Sequence, residues 1–363
     1  MLGGGPAGGS AALALARSGA EVDLWLPGRP GEKPCGGAVP EHVLPRLEGF
    51  DPSPLPAVLG PPALLEDASG ASLSVPLDGI RIFRRADLDR ALVGAAVAAG
   101  ARPVPHKAER LACLEDRVRV AGGGEEREYD WIVGADGARG LTRRTLGLVP
   151  RGDSVGLGGS LRGLETDRLV LSFPRLGDAY LWIFPRPGGC SVGIAYTPER
   201  LSDEAAHEAL DAFLDRRLPV GWRDLPGPRY RYPIPVWGEH TLEAVRRGIE
   251  RRMLLAGDAA AVADPLTREG IRYGMLSGGC AAQCLLDGEP ERYPQRLEAV
   301  LGDELGRAGR ACSLFYDSWI GRWMVPVARV HPGIRKVLAD LLACRQPYQG
   351  LRRRLLRATV GLG

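Results

Sequence analysis

The sequence predicts an α/β fold in which a dinucleotide-binding, Rossmann-like domain is interleaved with an antiparallel β-sheet substrate domain and followed by a helical C-terminus. Three observations carry this. The chain opens on Gly3-Gly4-Gly5-Pro6-Ala7-Gly8. Short apolar runs at 128–133 and 253–256 lead into Gly134-Ala135-Asp136-Gly137 and Gly257-Asp258-Ala259-Ala260. Between about 156 and 244 the chain changes to short alternating segments with proline- and glycine-rich turns, the pattern of an antiparallel sheet.

The opening glycines suit a tight turn and a close backbone approach to a pyrophosphate seated on a helix N-terminus, with Gly3, Gly5 and Gly8 at the required spacing. Ser10 to Arg17 is rich in helix formers and small residues, Ser18-Gly19-Ala20 ends that helix, and Val22 to Leu26 reads as the next strand. Only Met1 and Leu2 precede Gly3, where a buried strand of about five or six residues is usual. Either the central strand of the sheet is missing or the true start lies upstream. The place at the end of the second strand where a carboxylate normally meets the adenosine ribose falls on Leu26, with Asp23 inside the strand and Glu32 several residues late.

Residues 84–99 are apolar at helical spacing and end at Gly100, 128–133 form a strand, and a helix resumes after Gly270. Tyr180, Trp182 and Phe184 alternate with Leu181 and Ile183, so one strand face is aromatic and the other aliphatic. Pro187-Gly188-Gly189 turns this strand into a hairpin partner at 191–196. The expected division is 1–45, 79–155 and 245–310 for the nucleotide-binding domain, 46–78 and 156–244 for the substrate domain, and 311–363 for a C-terminal helical segment.

At 363 residues, 45% hydrophobic and 25% charged, the chain has the length and composition of an ordinary globular protein. A net charge of +3 with dispersed basic residues argues against nucleic acid as a partner. Seven cysteines without CxxC spacing argue against a disulfide scaffold or a metal site and for a reducing, cytoplasmic setting. No apolar stretch is long enough to span a membrane. Arg352, Arg353, Arg354 and Arg357, interleaved with Leu351, Leu355 and Leu356, read as a basic amphipathic helix, suited either to peripheral contact with an anionic membrane or to a solvated face. Trp319, Trp323 and Met324 belong to helices expected to cover the pocket or touch a membrane.

Taken together, the three glycine motifs resemble those of flavoprotein hydroxylases and geranylgeranyl reductases, with p-hydroxybenzoate hydroxylase-like topology, over roughly residues 1–290. The resemblance implies FAD as cofactor, held by Gly3, Gly5, Gly8, Arg85, Asp136, Gly137, Asp258, Pro265, Gly270 and Ile271. It implies that Asp258 faces the ribityl chain and that amides near Gly270-Ile271 face the electron-rich edge of the ring, where a helix N-terminus favours negative charge. The chain departs from the family at Gly140, where serine is usual, and at Arg268, where glycine is usual. Lys33-Pro34-Cys35-Gly36-Gly37 resembles the Pro-Cys-Gly-Gly loop of geranylgeranyl reductases, implying a catalytic role for Cys35. Tyr180-Leu181-Trp182-Ile183-Phe184-Pro185 resembles their Tyr-x-Trp-x-Phe-Pro motif, implying that Tyr180, Trp182 and Phe184 line a pocket for a hydrophobic small molecule.

The expectation is therefore an FAD-dependent oxidoreductase that reduces carbon–carbon double bonds of an isoprenoid or prenyl lipid. NAD(P)H or ferredoxin would supply electrons, and Cys35, Tyr180 or water the proton. Two other readings are a flavin monooxygenase of an aromatic or polyketide substrate and a flavin-poor protein that binds apolar ligands.

Overall fold

The computed structural model describes residues 1–33, 35–148, 154–227, 229–317 and 320–359. Pro34 of the cysteine loop and Trp319 lie outside them.

Parallel pairing builds the nucleotide-binding layer: Asp23–Trp25 pairs with Arg102–Val104, and Ile132–Gly134 pairs with Met253–Leu255. Leu2 joins the two pairs by bridging both Trp25 and Gly134. Its amide donates to Val133 O at 3.0 Å, and its carbonyl accepts from Ala135 N at 2.9 Å. Leu2 thus occupies the central place of the parallel layer and delivers the chain into Gly3. The expected strand at 128–133 is two strands. Glu125–Tyr129 alternates between exposed and half-buried in an antiparallel sheet, and the fully buried Ile132–Gly134 starts afresh in the parallel layer.

Helix α1 (Pro6–Arg17) packs on this layer beside α2 (Arg85–Ala98), and the five-residue α3 (Leu141–Thr145) follows the second glycine motif. The second layer is a seven-stranded sheet ordered Arg229–Ile234, Ser154–Arg162, Gly189–Tyr196, Tyr180–Arg186, Leu169–Phe173, Ala63–Asp67 and Ser72–Val75. Every pairing in it is antiparallel except that of Ala63–Asp67 with Leu169–Phe173.

The sheet's alternation sends Leu181, Ile183, Val192 and Ile194 to one face, where α4 (Asp203–Arg217) covers them with Ala206, Leu210, Phe213 and Leu214. Those four positions recur at helical spacing, and the Ser202 hydroxyl caps the helix by accepting from Ala205 N at 3.2 Å. The turn-rich reading of 156–244 overlooked this helix because its average hydropathy is low and only one narrow stripe is apolar.

Helices α5 (Glu239–Ile249) and α6 (Ile271–Leu286) return the chain to the nucleotide-binding layer. α7 (Tyr293–Leu297) continues through a π-helical turn into α8 (Asp303–Tyr316). α9 (Ile320–Val330) and α10 (Pro332–Leu342) then cover the outer half of the sheet's other face, Val325, Ala328, Ile334 and Leu338 packing with Leu65, Leu73 and Leu171. α11 (Leu351–Thr359) closes the chain against α10, with Arg352, Arg353 and Arg357 exposed. No helix among the described residues is long and apolar enough to cross a membrane.

Phe213 is 1% exposed at the centre of the α4 face. Phe213→Ala is expected to lower stability by about 3–5 kcal/mol in denaturant unfolding while leaving cofactor binding intact, since that face is turned away from the cleft.

Candidate active site

A cleft of about 1050 Å³, its open mouth included, lies between the two layers. Its floor is the N-terminus of α1. Gly5 caps this helix without a side-chain hydrogen bond and Pro6 occupies the first turn, so free amides face the cleft. A Cβ placed on Gly5 would point between Lys33 Nζ at 3.5 Å and Arg85 Nη2 at 3.8 Å. Gly3 and Gly8 serve packing. Gly3 has φ +93° and a Cβ there would sit 2.4 Å from Ala135 O; one on Gly8 would sit 2.0 Å from Gly3 O. Arg85 is nearly buried and grips Asp89 at 2.9 Å. Burial works against its charge, but Asp89, and then the neighbouring Cys35 sulfur, outweigh burial and hold the guanidinium protonated.

The third glycine motif forms the next wall. Gly257 takes φ +63°, and Asp258 follows it facing the cleft. Burial pushes the Asp258 carboxyl above the ordinary carboxylate range, partly offset by Lys33, Arg85 and Arg143. Gly270 caps α6 without a side-chain partner, and a Cβ on it would stand 3.6 Å from Asp258 Oδ1. The cleft is therefore lined by two open helix N-termini, the Lys33, Arg85 and Arg268 cations and the Asp258 carboxylate.

Asp136 and Pro265 are absent from the cleft lining. The Asp136 carboxylate is turned onto α3, accepting from Thr142 N at 3.0 Å and from the Thr142 hydroxyl. This explains Gly140: a Cβ there would lie 2.1 Å from Asp136 Oδ1, so the cap usually given by a serine comes from Asp136 instead. Gly137 does line the cleft, with φ +84°. Pro265 sits in a buried turn held by Asp264 Oδ1, which accepts from Leu266 N at 2.7 Å and Thr267 N at 2.9 Å.

Arg268 adopts φ +56°, the left-handed region that favours glycine. Its guanidinium is tied to Asp178 at 2.5 Å, to Ser154 Oγ at 2.9 Å and to the Pro265 carbonyl. The long side chain is thus anchored in the wall. Leu26 stands where a ribose carboxylate is usual, and packs over Gly4, whose Cβ would meet it at 2.7 Å. Glu32 is engaged elsewhere, accepting from Arg186 Nη1 at 2.7 Å and Ala86 N at 3.3 Å.

The roof is aromatic. Tyr180, Trp182 and Phe184 all line the cleft, as alternation requires, facing Cys35 and Gly36. A Cβ on Gly36 would lie 2.3 Å from the Phe184 ring, so the cysteine loop rests directly on the aromatic wall. The Gly37 amide donates to Cys35 Sγ at 3.3 Å. The Tyr180 hydroxyl donates to Thr267 O at 2.7 Å, and its nearest cation is Arg268. Sequence reasoning missed Lys33, Tyr230 and Tyr232 in the lining and Asp178 behind it. The Arg229-Tyr230-Arg231-Tyr232 alternation carried a signal for two of them, because period-two tyrosines on an edge strand share a face.

These residues fit FAD. Open helix N-termini and Lys33 and Arg85 suit a pyrophosphate, the Gly5 position leaves room for it, Asp258 suits hydroxyls, and the amides at Gly270–Ile271 suit an anionic ring edge. Asp178→Asn is expected to cost about 3–5 kcal/mol in denaturant unfolding, because it leaves Arg268 charged and buried without its partner. Because the Asp258 carboxyl is raised, the folded chain holds that proton more tightly than the unfolded chain, and the group destabilises the flavin-free fold as pH rises through its raised value. Asp258→Asn is expected to remove that pH-dependent loss and raise the thermal midpoint of flavin-free protein at neutral pH, while weakening FAD binding in a titration.

No family model matches the chain. It is 29% identical over 325 residues to the chloroplastic geranylgeranyl diphosphate reductase of Oryza sativa subsp. japonica, covering 79% of this chain and 66% of that protein, just under two thirds of its length. Identity to digeranylgeranylglycerophospholipid reductase 2 of Methanopyrus kandleri is 28%, covering 87% of this chain and 86% of that one. A menaquinone reductase of Mycobacterium tuberculosis is 30% identical over 345 residues, 85% of this chain and 80% of that one. Among solved structures, a geranylgeranyl bacteriochlorophyll reductase-like protein from Thermoplasma acidophilum shares the fold at TM-score 0.72 and 19% identity, covering 98% of each chain. The p-nitrophenol 4-monooxygenase of Pseudomonas putida shares it at TM-score 0.68 and 19% identity, covering 94% and 96%. The chain belongs to the geranylgeranyl reductase family of FAD-dependent oxidoreductases.

Proposed function

We propose that the chain reduces carbon–carbon double bonds in the isoprenoid part of a prenyl lipid or prenyl quinone, drawing electrons from NAD(P)H or ferredoxin. The observation that carries this is the convergence on one cleft of Cys35, the Tyr180–Trp182–Phe184 wall and the nucleotide-binding elements, with Gly36 pressed against Phe184. When bound and reduced, the flavin supplies a hydride to one alkene carbon. The protein's work is to place the alkene and keep water out.

The residues divide that work. Lys33, Arg85 and the α1 amides hold the pyrophosphate, Asp258 the polyol chain, and the α6 N-terminus the electron-rich ring edge. Trp182 and Phe184 supply an apolar surface for the isoprenoid, while Cys35, on the loop resting on Phe184, meets the reacting region. Asp136 and Pro265 act behind the lining, setting the turns that present Gly137 and Gly270. The aromatic wall and the reductases among the relatives favour this reading over a flavin monooxygenase, which has the same cofactor elements. A flavin-poor binding protein fits less well, because two open helix N-termini and the Lys33, Arg85 and Arg143 charges acting on the Asp258 carboxylate have no use in holding an apolar ligand.

The test is turnover of purified, FAD-loaded protein with a prenyl quinone and geranylgeranyl diphosphate, each run with and without oxygen and with a reductant supplied, products being weighed by mass spectrometry. A gain of two hydrogens per turnover is expected; oxygen-dependent addition of 16 mass units, with no reduction, overturns it. Cys35→Ala is expected to keep FAD and lower kcat roughly 10–100-fold through misplacement of the alkene.

A further inference from the structure

One group in the cleft has no role in the scheme above. Tyr230 lies on the edge strand Arg229–Ile234, and register fixes where it points. It pairs with Gly158, which pairs with Gly193, which pairs with Trp182. Residues paired in this way project from one face of the sheet. The next row along is Tyr232, Gly156, Ala195 and Tyr180. Aromatic side chains therefore rise on both sides of a trough floored by glycine and alanine, and Tyr230 faces Trp182 across it. Trp182 leans over that floor: a Cβ on Gly193 would lie 2.3 Å from its ring, and its indole N–H donates to Ser191 Oγ at 3.2 Å.

The Tyr230 hydroxyl is buried and makes no hydrogen bond of ordinary geometry. A buried phenol without an acceptor is costly, so this one calls for a reason. The Ser191 hydroxyl, which accepts from the Trp182 indole, faces the phenolic oxygen as a donor, and the charged and titratable surroundings are Cys35, Arg186 and Glu32, so the phenolic proton itself is left without an acceptor. Arg186 and Glu32 are already joined at 2.7 Å and Arg186 also meets Ser160, so neither calls on the phenol. Tyr180, by contrast, has its proton engaged with the Thr267 carbonyl at 2.7 Å. Burial, ahead of any neighbouring charge, pushes the Tyr230 phenol above the ordinary tyrosine range and keeps it protonated at neutral pH.

We propose that Tyr230 is the proton donor of the reduction, a catalytic residue whose phenolic hydrogen goes to the alkene carbon that does not receive the hydride. This rests on the reductase reading above. The step balances: the carbon–carbon π bond breaks, one new C–H bond takes the hydride of the reduced flavin with its electron pair, and the other takes the phenolic proton. The phenolate regains a proton from water when product leaves, and the oxidised flavin is reduced again by the external electron donor. Shielding of the hydroxyl from bulk water suits this role, since the proton is held until an alkene occupies the trough.

The test compares wild type, Tyr230→Phe and Cys35→Ala as FAD-loaded enzymes on a menaquinone with an unsaturated side chain, in H2O and in D2O. Phenylalanine keeps the ring and removes only the hydroxyl. General acid catalysis of this kind is worth about 100-fold or more, so Tyr230→Phe is expected to lose at least that in kcat, with KM changed less than about threefold. The solvent isotope effect on turnover is expected in wild type and in Cys35→Ala. Two readouts independent of turnover accompany this: FAD per chain, and quenching of tryptophan fluorescence by the saturated product, both expected to match wild type in Tyr230→Phe. A Tyr230→Phe enzyme within threefold of wild-type kcat overturns the assignment. So does one that loses FAD or product binding, which would make the hydroxyl part of the scaffold. A wild-type enzyme that reduces no prenyl substrate overturns the reductase reading, and this assignment with it.

Discussion

Everything in the cleft depends on how closely α1 can lie against its neighbours. A methyl group on Gly278 of α6 would sit 2.2 Å from Ala7 O, one on Gly8 2.0 Å from Gly3 O, and one on Gly257 2.9 Å from Ala7 Cβ. These contacts are with backbone or with a side chain that has no rotamer to change, so nothing can yield except the helix itself. Three glycines from distant parts of the chain thus set one distance. It brings the N-termini of α1 and α6 to the same cleft, where amides act on an anionic ligand only within hydrogen-bond reach. Displacing α1 by the thickness of a methyl group would take its amides out of that reach while leaving each element intact.

The seven-stranded sheet does two jobs because its period is two. On one face aliphatic residues meet α4 and need only be apolar and the right size. On the other, the middle of the second and third strands carries Gly156, Gly158, Ser160, Ser191, Gly193 and Ala195, and bulk there is confined to the strands on either side. That distribution is poor for a core and good for a trough, since glycine in a strand gives up packing and conformational entropy. The aromatic residues beside it supply apolar surface with few rotatable bonds, so the wall keeps its shape without a ligand.

The nucleotide-binding half was legible in the sequence because its signals are local. Gly3, Gly5 and Gly8 announce a helix start, and Asp258 and Gly270 are tied to strand ends a few residues away. Alternation at Tyr180, Trp182 and Phe184 was legible for the same reason. What escaped depends on pairing between distant segments. Nothing near Tyr230 says that its cross-strand neighbour is glycine, and nothing near Arg268 says that Asp178, 90 positions earlier, will meet it. The side-chain direction of Asp136, whose carboxylate accepts from Thr142 N at the start of α3, was not legible, because an Asp-Gly turn looks the same whichever way the side chain points.

The departures from the family pattern share one logic. A non-glycine residue in the left-handed region costs about 1–2 kcal/mol, and Arg268 accepts that cost. In return its guanidinium closes a buried ion pair with Asp178, which also accepts from Thr197 N at 3.0 Å, at the end of the strand paired with Tyr180–Arg186. The loop before α6 is thereby fastened to the substrate sheet, and the charge is neutralised inside the wall instead of being presented to the ring. Leu26 follows the same rule, giving up a polar contact and sealing the space above Gly4. Both changes leave the backbone amides at the two helix N-termini and the Lys33 and Arg85 cations as the polar groups facing the cleft from this side. On the proposed reading the cofactor half can carry such substitutions, and discrimination between substrates falls to the trough, whose side chains rise directly from the sheet into the cleft.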